Sequence, residues 1–180
     1  MLKSARRQQT VVSVLHLEIG GGEFVTLAGP CSVETEFQLM ATANHLRCAG
    51  ARILRGGAFK SRSSPYAFQG HGLIGLKMLA RARQESGLAI VTEVISEEDV
   101  PTVAEYADIL QIGTRNMENY PLLEATARSG RPVLLKRGMV TVRDSEGKVT
   151  PVAVTTAPAH NYILGIDFRV MTSGSQPPKV

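Results

Sequence analysis

Seven residues able to bind or activate a ligand, Cys31, Arg55, Lys60, Arg62, Glu93, Arg115 and Lys136, stand at or just beyond the ends of short apolar runs. Five of them are cations. Gathered in one place, they would repel one another unless an anion lay among them, and guanidinium forks and ammonium groups suit phosphate and carboxylate oxygens. The cluster therefore implies a small substrate carrying two or three negative charges. Taken singly, each Arg or Lys could instead cap a helix C-terminus or lay its stem over a loop. Their shared position is what argues for a site.

The pair Gly56 and Gly57, followed by Lys60, Ser61, Arg62, Ser63 and Ser64, offers close backbone approach, hydroxyl donors and two cations. That composition suits a phosphate-binding loop, although a flexible surface loop rich in small residues has the same look. Cys31, in Ala28-Gly-Pro-Cys-Ser32, admits three roles: small buried hydrophobe, nucleophile or thiolate metal ligand. Glu93 could ligate a metal, shuttle a proton or hold one of the cations in place, and the last is favoured.

These residues need a scaffold that brings strand ends together. Residues 11–19 alternate in part, and Gly20, Gly21 and Gly22 turn the chain into the apolar run 24–29, which reads as a short hairpin leading into a buried strand. A repeat then begins. Thr35-Glu-Phe-Gln38 fits a capping box, Leu39, Ala43 and Leu46 follow at helical spacing, and Gly50 stops the helix. Further strands are expected at 51–55, 88–94, 108–113 and 132–136. The helices between them are expected over about 72–86, after Ser96, and over about 120–129 with Pro121 in the first turn.

Short apolar strands alternating with amphipathic helices are what a parallel sheet with right-handed crossovers requires. The class is α/β. In such folds the C-terminal strand ends form the functional edge, which is where the seven residues fall. No G-x-G-x-x-G follows the first strand, so the usual sign of a dinucleotide-binding sheet is missing. After Gly138 the pattern stops: residues 140–180 hold a polar turn, a β-like stretch, a possible strand around Tyr162 to Val170 and a Ser, Gly and Pro-rich end.

A chain of 180 residues with 43% hydrophobic composition can bury one core. No apolar run approaches the roughly 20 residues of a membrane span, and the first residues do not read as a signal peptide. A cytoplasmic protein is expected. Twenty basic against sixteen acidic residues, with no basic run interleaved with aromatics, argues against a nucleic-acid surface. Cys31 and Cys48 lie in unlike contexts and are expected as free thiols.

Five ordered motifs carry a resemblance. They are Ala28-Gly-Pro-Cys-Ser-Val-Glu34, Leu54-Arg-Gly-Gly-Ala-Phe-Lys60, Arg62-Ser-Ser-Pro-Tyr-Ala-Phe-Gln-Gly70, Gln111-Ile-Gly-Thr-Arg-Asn-Met117 and Pro132-Val-Leu-Leu-Lys-Arg-Gly138. Over residues 18 to 139 the chain resembles the 3-deoxy-7-phosphoheptulonate synthases of the branch related to 3-deoxy-octulosonate 8-phosphate synthase. The resemblance implies a (β/α)8 barrel, here incomplete at about five units, with a hairpin at 1–23, a partial catalytic barrel at 24–139 and an unassigned tail at 140–180. It also implies a homo-oligomer that acts on phosphoenolpyruvate and erythrose 4-phosphate with a divalent metal ion, manganese or similar, at the entry to aromatic amino-acid synthesis. By carry-over, Cys31 matches a metal ligand, and Arg115 and Lys136 match residues that hold phosphoenolpyruvate. Arg55 and Lys60 line the same pocket, and Lys60, Arg62, Ser63 and Ser64 match the loop that meets the sugar phosphate. Lys60, Arg115 and Lys136 are the expected catalytic residues.

The chain departs from the family pattern in three places. Ser61 and Ser63 stand where proline and threonine are usual, and Thr114 where a small apolar residue is usual. The family's remaining metal ligands come from later strands, which residues 140–180 do not resemble, and neither His160 nor Asp167 sits in a matching context. The expectation is a barrel lacking its last strands, with no separate regulatory domain before it.

Overall fold

The computed structural model describes residues 11–20, 22, 24–62, 64–136, 139–143, 149–153 and 162–164, the last three runs by their strand pairing. Its centre is a parallel sheet built from β3 (Leu27–Ala28), β4 (Ile53–Arg55), β5 (Ala89–Glu93), β6 (Ile109–Ile112) and β7 (Val133–Leu135). Four helices connect them: α1 (Glu36–Cys48), α2 (Leu73–Ser86), α3 (Val100–Tyr106) and α4 (Tyr120–Arg128). The order along the sheet follows the order along the chain, as in a barrel wall and unlike a doubly wound sheet, whose order reverses. A sixth strand, Tyr162–Leu164, pairs in parallel with β7, inside the segment read as a possible strand. Met139–Arg143 and Val149–Ala153 form a separate antiparallel pair, so the sheet strands after β7 are numbered β8, β9 and β10 in chain order.

Local chemistry explains the helix limits. The Thr35 hydroxyl accepts the Gln38 amide at 3.2 Å and opens α1, and the Asn119 side chain accepts the Leu122 amide at 3.3 Å and opens α4. Gly87 closes α2 in the left-handed region at φ +73, with its amide on the Arg83 carbonyl at 2.8 Å. Ser96 makes the turn before α3 rather than its first cap: its hydroxyl receives the Asp99 amide at 3.3 Å and donates to the Asp99 carboxylate at 2.7 Å.

The hairpin differs from the expected one. β1 (Val12–Val14) and β2 (Leu17–Ile19) pair with each other, so the turn falls at Leu15 and His16 instead of Gly20–Gly22. Leu15 takes φ +52 there, an uncommon conformation for a γ-branched residue, and neither turn residue announces itself.

Strand alternation divides the core in two. Leu54, Ile90, Leu110, Ile112 and Val133 pack outward against Leu39, Leu76, Leu79, Val103 and Leu122 of the helices. Ile53, Ala89, Val91, Ile109 and Leu134 point to the other, inner face, where Val12, Val14 and Leu17 of the hairpin cover them. No helix among the described residues is long and apolar enough to cross a membrane.

Asp108 ties the layers together at the strand N-termini. Its carboxylate accepts from Arg83 at 2.9 Å and from the Ile90 amide at 2.8 Å while only 4% exposed. Asp108→Ala leaves a buried amide and a half-buried guanidinium without their partner, and should lower unfolding free energy by about 2–4 kcal/mol in urea titration. A loss under about 0.5 kcal/mol would show the contact to be dispensable.

Candidate active site

The same alternation that sends Ile53, Val91, Ile109 and Leu134 inward carries on to the strand C-termini. Arg55, Glu93, Gln111, Gly113 and Lys136 are therefore the next inner-face positions of β4 to β7 and their extensions. They step along the inner face towards the strand C-termini, Arg55 opposite Val91, Glu93 opposite Gln111 and Lys136 beyond both. Register agrees: Glu93 is opposite Gln111, and the Lys136 amide donates to the Ile112 carbonyl at 3.0 Å.

The glycine-rich segment after β4 is pinned rather than flexible. The Gly57 carbonyl accepts the Val33 amide at 3.0 Å, the Ala58 amide donates to the Thr92 hydroxyl at 3.2 Å, and the Lys60 amide donates to the Gln69 carbonyl at 2.8 Å. Phe59 bridges Gly70, and His71 reaches the Glu34 carbonyl at 2.9 Å through Nε2. Gly57 is required by space: a Cβ there would meet the Cys31 carbonyl oxygen at 2.7 Å and Lys60 Nζ at 2.9 Å. Lys60 is thus threaded across the loop into the mouth, 8% exposed.

There Lys60 Nζ donates to Cys31 Sγ at 3.1 Å. That hydrogen bond pulls the Cys31 thiol below its ordinary value; partial burial opposes it, and the charge of Lys60 and contact with Arg55 add to it. Cys31 is exposed, so the core role left open by its residue type is excluded. In a Cys48→Ser background, alkylation of Cys31 by iodoacetamide should plateau at lower pH than an ordinary thiol. A profile matching a free cysteine peptide would contradict the Lys60 contact.

Arg55 donates to the Pro30 carbonyl at 3.4 Å, and Arg115, in the 3-10 turn Thr114–Asn116, donates to the Ser61 carbonyl at 2.8 Å. The turn after β6 is thereby fastened to the loop after β4. Arg62 and Ser64 lie exposed on that loop, where Ser64 Oγ accepts the Tyr66 amide at 3.3 Å. Ser63 lies outside the described residues. The ion pairs among the described residues are Arg81 with Glu36 and Glu85, Arg83 with Asp108, and Arg128 with Glu124. None involves Arg55, Lys60, Arg62, Arg115 or Lys136.

Among the described residues Glu93 holds no cation, against expectation. Its carboxylate accepts from Gln111 Nε2 at 2.9 Å and occupies the space beside Gly113. Sequence reasoning gave Gln111 no role, although a polar residue at the inner-face position of an otherwise apolar strand was the available signal. Ser32, which shared with Thr35 the expectation of opening α1, does not cap it: its hydroxyl is buried beside Cys31 and has no partner among the described residues. For a metal, Cys31 offers one soft donor, yet no three His, Cys, Asp or Glu side chains converge among the described residues.

The DAHP synthetase I family model matches residues 5–174, past the point where the motif resemblance ends. The chain belongs to the DAHP synthetase I family. Among curated relatives, it is 50% identical over 133 residues to the phospho-2-dehydro-3-deoxyheptonate aldolase of Thermotoga maritima, covering 74% of this chain and 39% of that one. It is 38% identical over 122 residues to the 2-dehydro-3-deoxyphosphooctonate aldolase of Acidithiobacillus ferrooxidans, covering 64% and 43%. The crystal structure of the Thermotoga maritima DAHP synthase superposes with a TM-score of 0.70 at 49% identity, over 74% of this chain and 39% of that one. The chain thus spans less than half the length of these relatives, and its sheet is the corresponding part of a (β/α)8 barrel.

Proposed function

We propose that this chain carries the anion-binding mouth of a 3-deoxy-7-phosphoheptulonate synthase, which condenses phosphoenolpyruvate with erythrose 4-phosphate and water at the start of the shikimate pathway. One observation supports the reading: five cations stand at or beyond the C-terminal ends of β4, β6 and β7, and none has a carboxylate partner among the described residues. Arg115 and Lys136 take the phosphoenolpyruvate phosphate and carboxylate, with Arg55 and Lys60 completing the pocket. Arg62, Ser63 and Ser64 meet the sugar phosphate. The identity of 50% to a heptulonate enzyme, against 38% to an octulosonate enzyme, favours the shorter sugar.

In this reaction C3 of phosphoenolpyruvate bonds to the aldehyde carbon, whose oxygen takes a proton. Water adds its oxygen at C2, and the C2–O bond to phosphate breaks. Cations fixed before reaction stabilise the charge that develops on the phosphate and carboxylate oxygens. A divalent metal ion, manganese or similar, belongs to the same reading, with Cys31 as one thiolate donor. Its other donors would come from outside the described residues. A cytoplasmic homo-oligomer completes the proposal.

A second reading is a half-barrel that binds phosphorylated metabolites without turning them over; it is favoured by the donor set around Cys31, which is incomplete among the described residues. Phosphate release from phosphoenolpyruvate and erythrose 4-phosphate, with manganese or with chelator, separates the two. The synthase requires manganese-dependent release that needs both substrates. Folded protein that binds phosphoenolpyruvate and releases no phosphate would leave the binding module.

A further inference from the structure

Glu93 stands among cations and is paired with none of them. Along β4 to β7, Arg55, Glu93, Gln111 and Lys136 share the inner face, and Glu93 is one strand from β4 on one side and two from β7 on the other. Neighbouring strands lie about 4.8 Å apart, and Arg55 is opposite Val91, two positions before Glu93, so a cation stands on the inner face of the adjacent strand. A carboxylate so placed ordinarily gains an ion pair, which here would neutralise part of the pocket before any substrate arrived.

Two independent features hold it elsewhere. A carboxylate can only accept, so the Gln111 amide must present its NH2, and it does so at 2.9 Å from a side chain that is 3% exposed and cannot reorient freely. Gly113 supplies the space: a Cβ there would overlap Oε1 of Glu93. Its backbone, at φ −70 and ψ 158, suits any residue, so the need for glycine is the volume that the carboxylate occupies.

We propose that Gln111 is a positioning residue which, with the space left at Gly113, parks Glu93 on a neutral partner and keeps the mouth cations free for an anionic substrate. This rests on the phosphoenolpyruvate-binding reading above. Without the amide, Glu93 turns to Lys136 or Arg55 and competes with the substrate for the same charge. Gln111 then sets anion affinity without touching the anion.

The test is a double-mutant cycle in the full chain. Gln111→Met should weaken phosphoenolpyruvate binding by about tenfold in calorimetry, and Gln111→Met with Glu93→Gln should return it to within about threefold of the wild type. A crystal structure of Gln111→Met should show the Glu93 carboxylate on a mouth cation. Should Gln111→Met not fold, Gly113→Ala displaces the same carboxylate, and the weakening should be relieved by adding Glu93→Ala. Unchanged affinity, a double variant as weak as the single one, or Glu93 still lying against residue 113 would overturn the proposal. If the wild type binds no phosphoenolpyruvate, the functional reading fails, while the position of Glu93 in the variant crystal still decides the role of Gln111.

Discussion

Gly29→Ala is expected to remove about 3 kcal/mol or more of stability, or to give no soluble protein at all. Gly29 follows β3 at φ +149, a conformation that side chains rarely adopt, and a Cβ there would overlap the Arg55 carbonyl oxygen. Neither backbone can retreat. Leu27 and Ala28 are in register with Ile53 and Leu54, and the next amide along, that of Gly56, donates to the Val91 carbonyl at 3.2 Å. Strain of about 1–3 kcal/mol and overpacking of similar size act together on a domain with roughly 5–15 kcal/mol to lose. Gly87→Ala is the control: its φ is +73, yet a Cβ there meets nothing within 4 Å. Urea denaturation should separate the two substitutions widely. Equal losses would mean that the β3–β4 junction yields, and that Cys31 is not held as tightly against Lys60 as described.

Lys60→Ala should weaken phosphoenolpyruvate binding by about 30-fold to 100-fold while leaving the fold largely intact. The ammonium is nearly buried and donates to a thiol, so an incoming phosphate or carboxylate would meet it already stripped of much of its water. Removing it also removes the largest cause of the lowered Cys31 thiol, and the alkylation profile should move to higher pH in the same variant. Lys60→Arg should not rescue binding. The stem passes against Gly57, where Cε and Nζ already stand 2.9 Å from the position of a Cβ, and a guanidinium needs more room. Loss of affinity without movement of the alkylation profile would place the ammonium away from the thiol.

The sheet was legible because its strands carry continuous apolar runs bounded by clear stop signals. Gly50, Gly87 and Gly130 each take positive φ just past a helix, as their spacing implied. The hairpin was misplaced because Leu15 and His16 carry no turn chemistry, whereas three glycines in a row carry a great deal. Tyr162–Leu164 looked like a possible strand, and nothing local could show that it would pair with β7 across the intervening Met139–Arg143 and Val149–Ala153 pair.

In the site, cations declared themselves by type and place, and the structure sets Lys60 against Cys31, Arg55 against Pro30 and Arg115 against Ser61. The neutral partners did not. Gln111 acts through a cross-strand pair, Gly113 through the absence of a side chain, and Ser32 through burial. Each of those is a property of three-dimensional neighbours, which residue type alone does not disclose. Glu93 was assigned to a cation for the same reason: opposite charge at one strand edge suggested a pair, and the uncharged residue opposite it won.

The most direct test is calorimetric titration of the protein with phosphoenolpyruvate, repeated on Arg115→Ala and Lys136→Ala and at raised salt. A cation-lined mouth predicts saturable one-site binding that weakens as salt rises and falls by at least tenfold in each variant. Folded protein that shows no binding, or binding untouched by both substitutions, would contradict the assignment of these strand ends as the anion site.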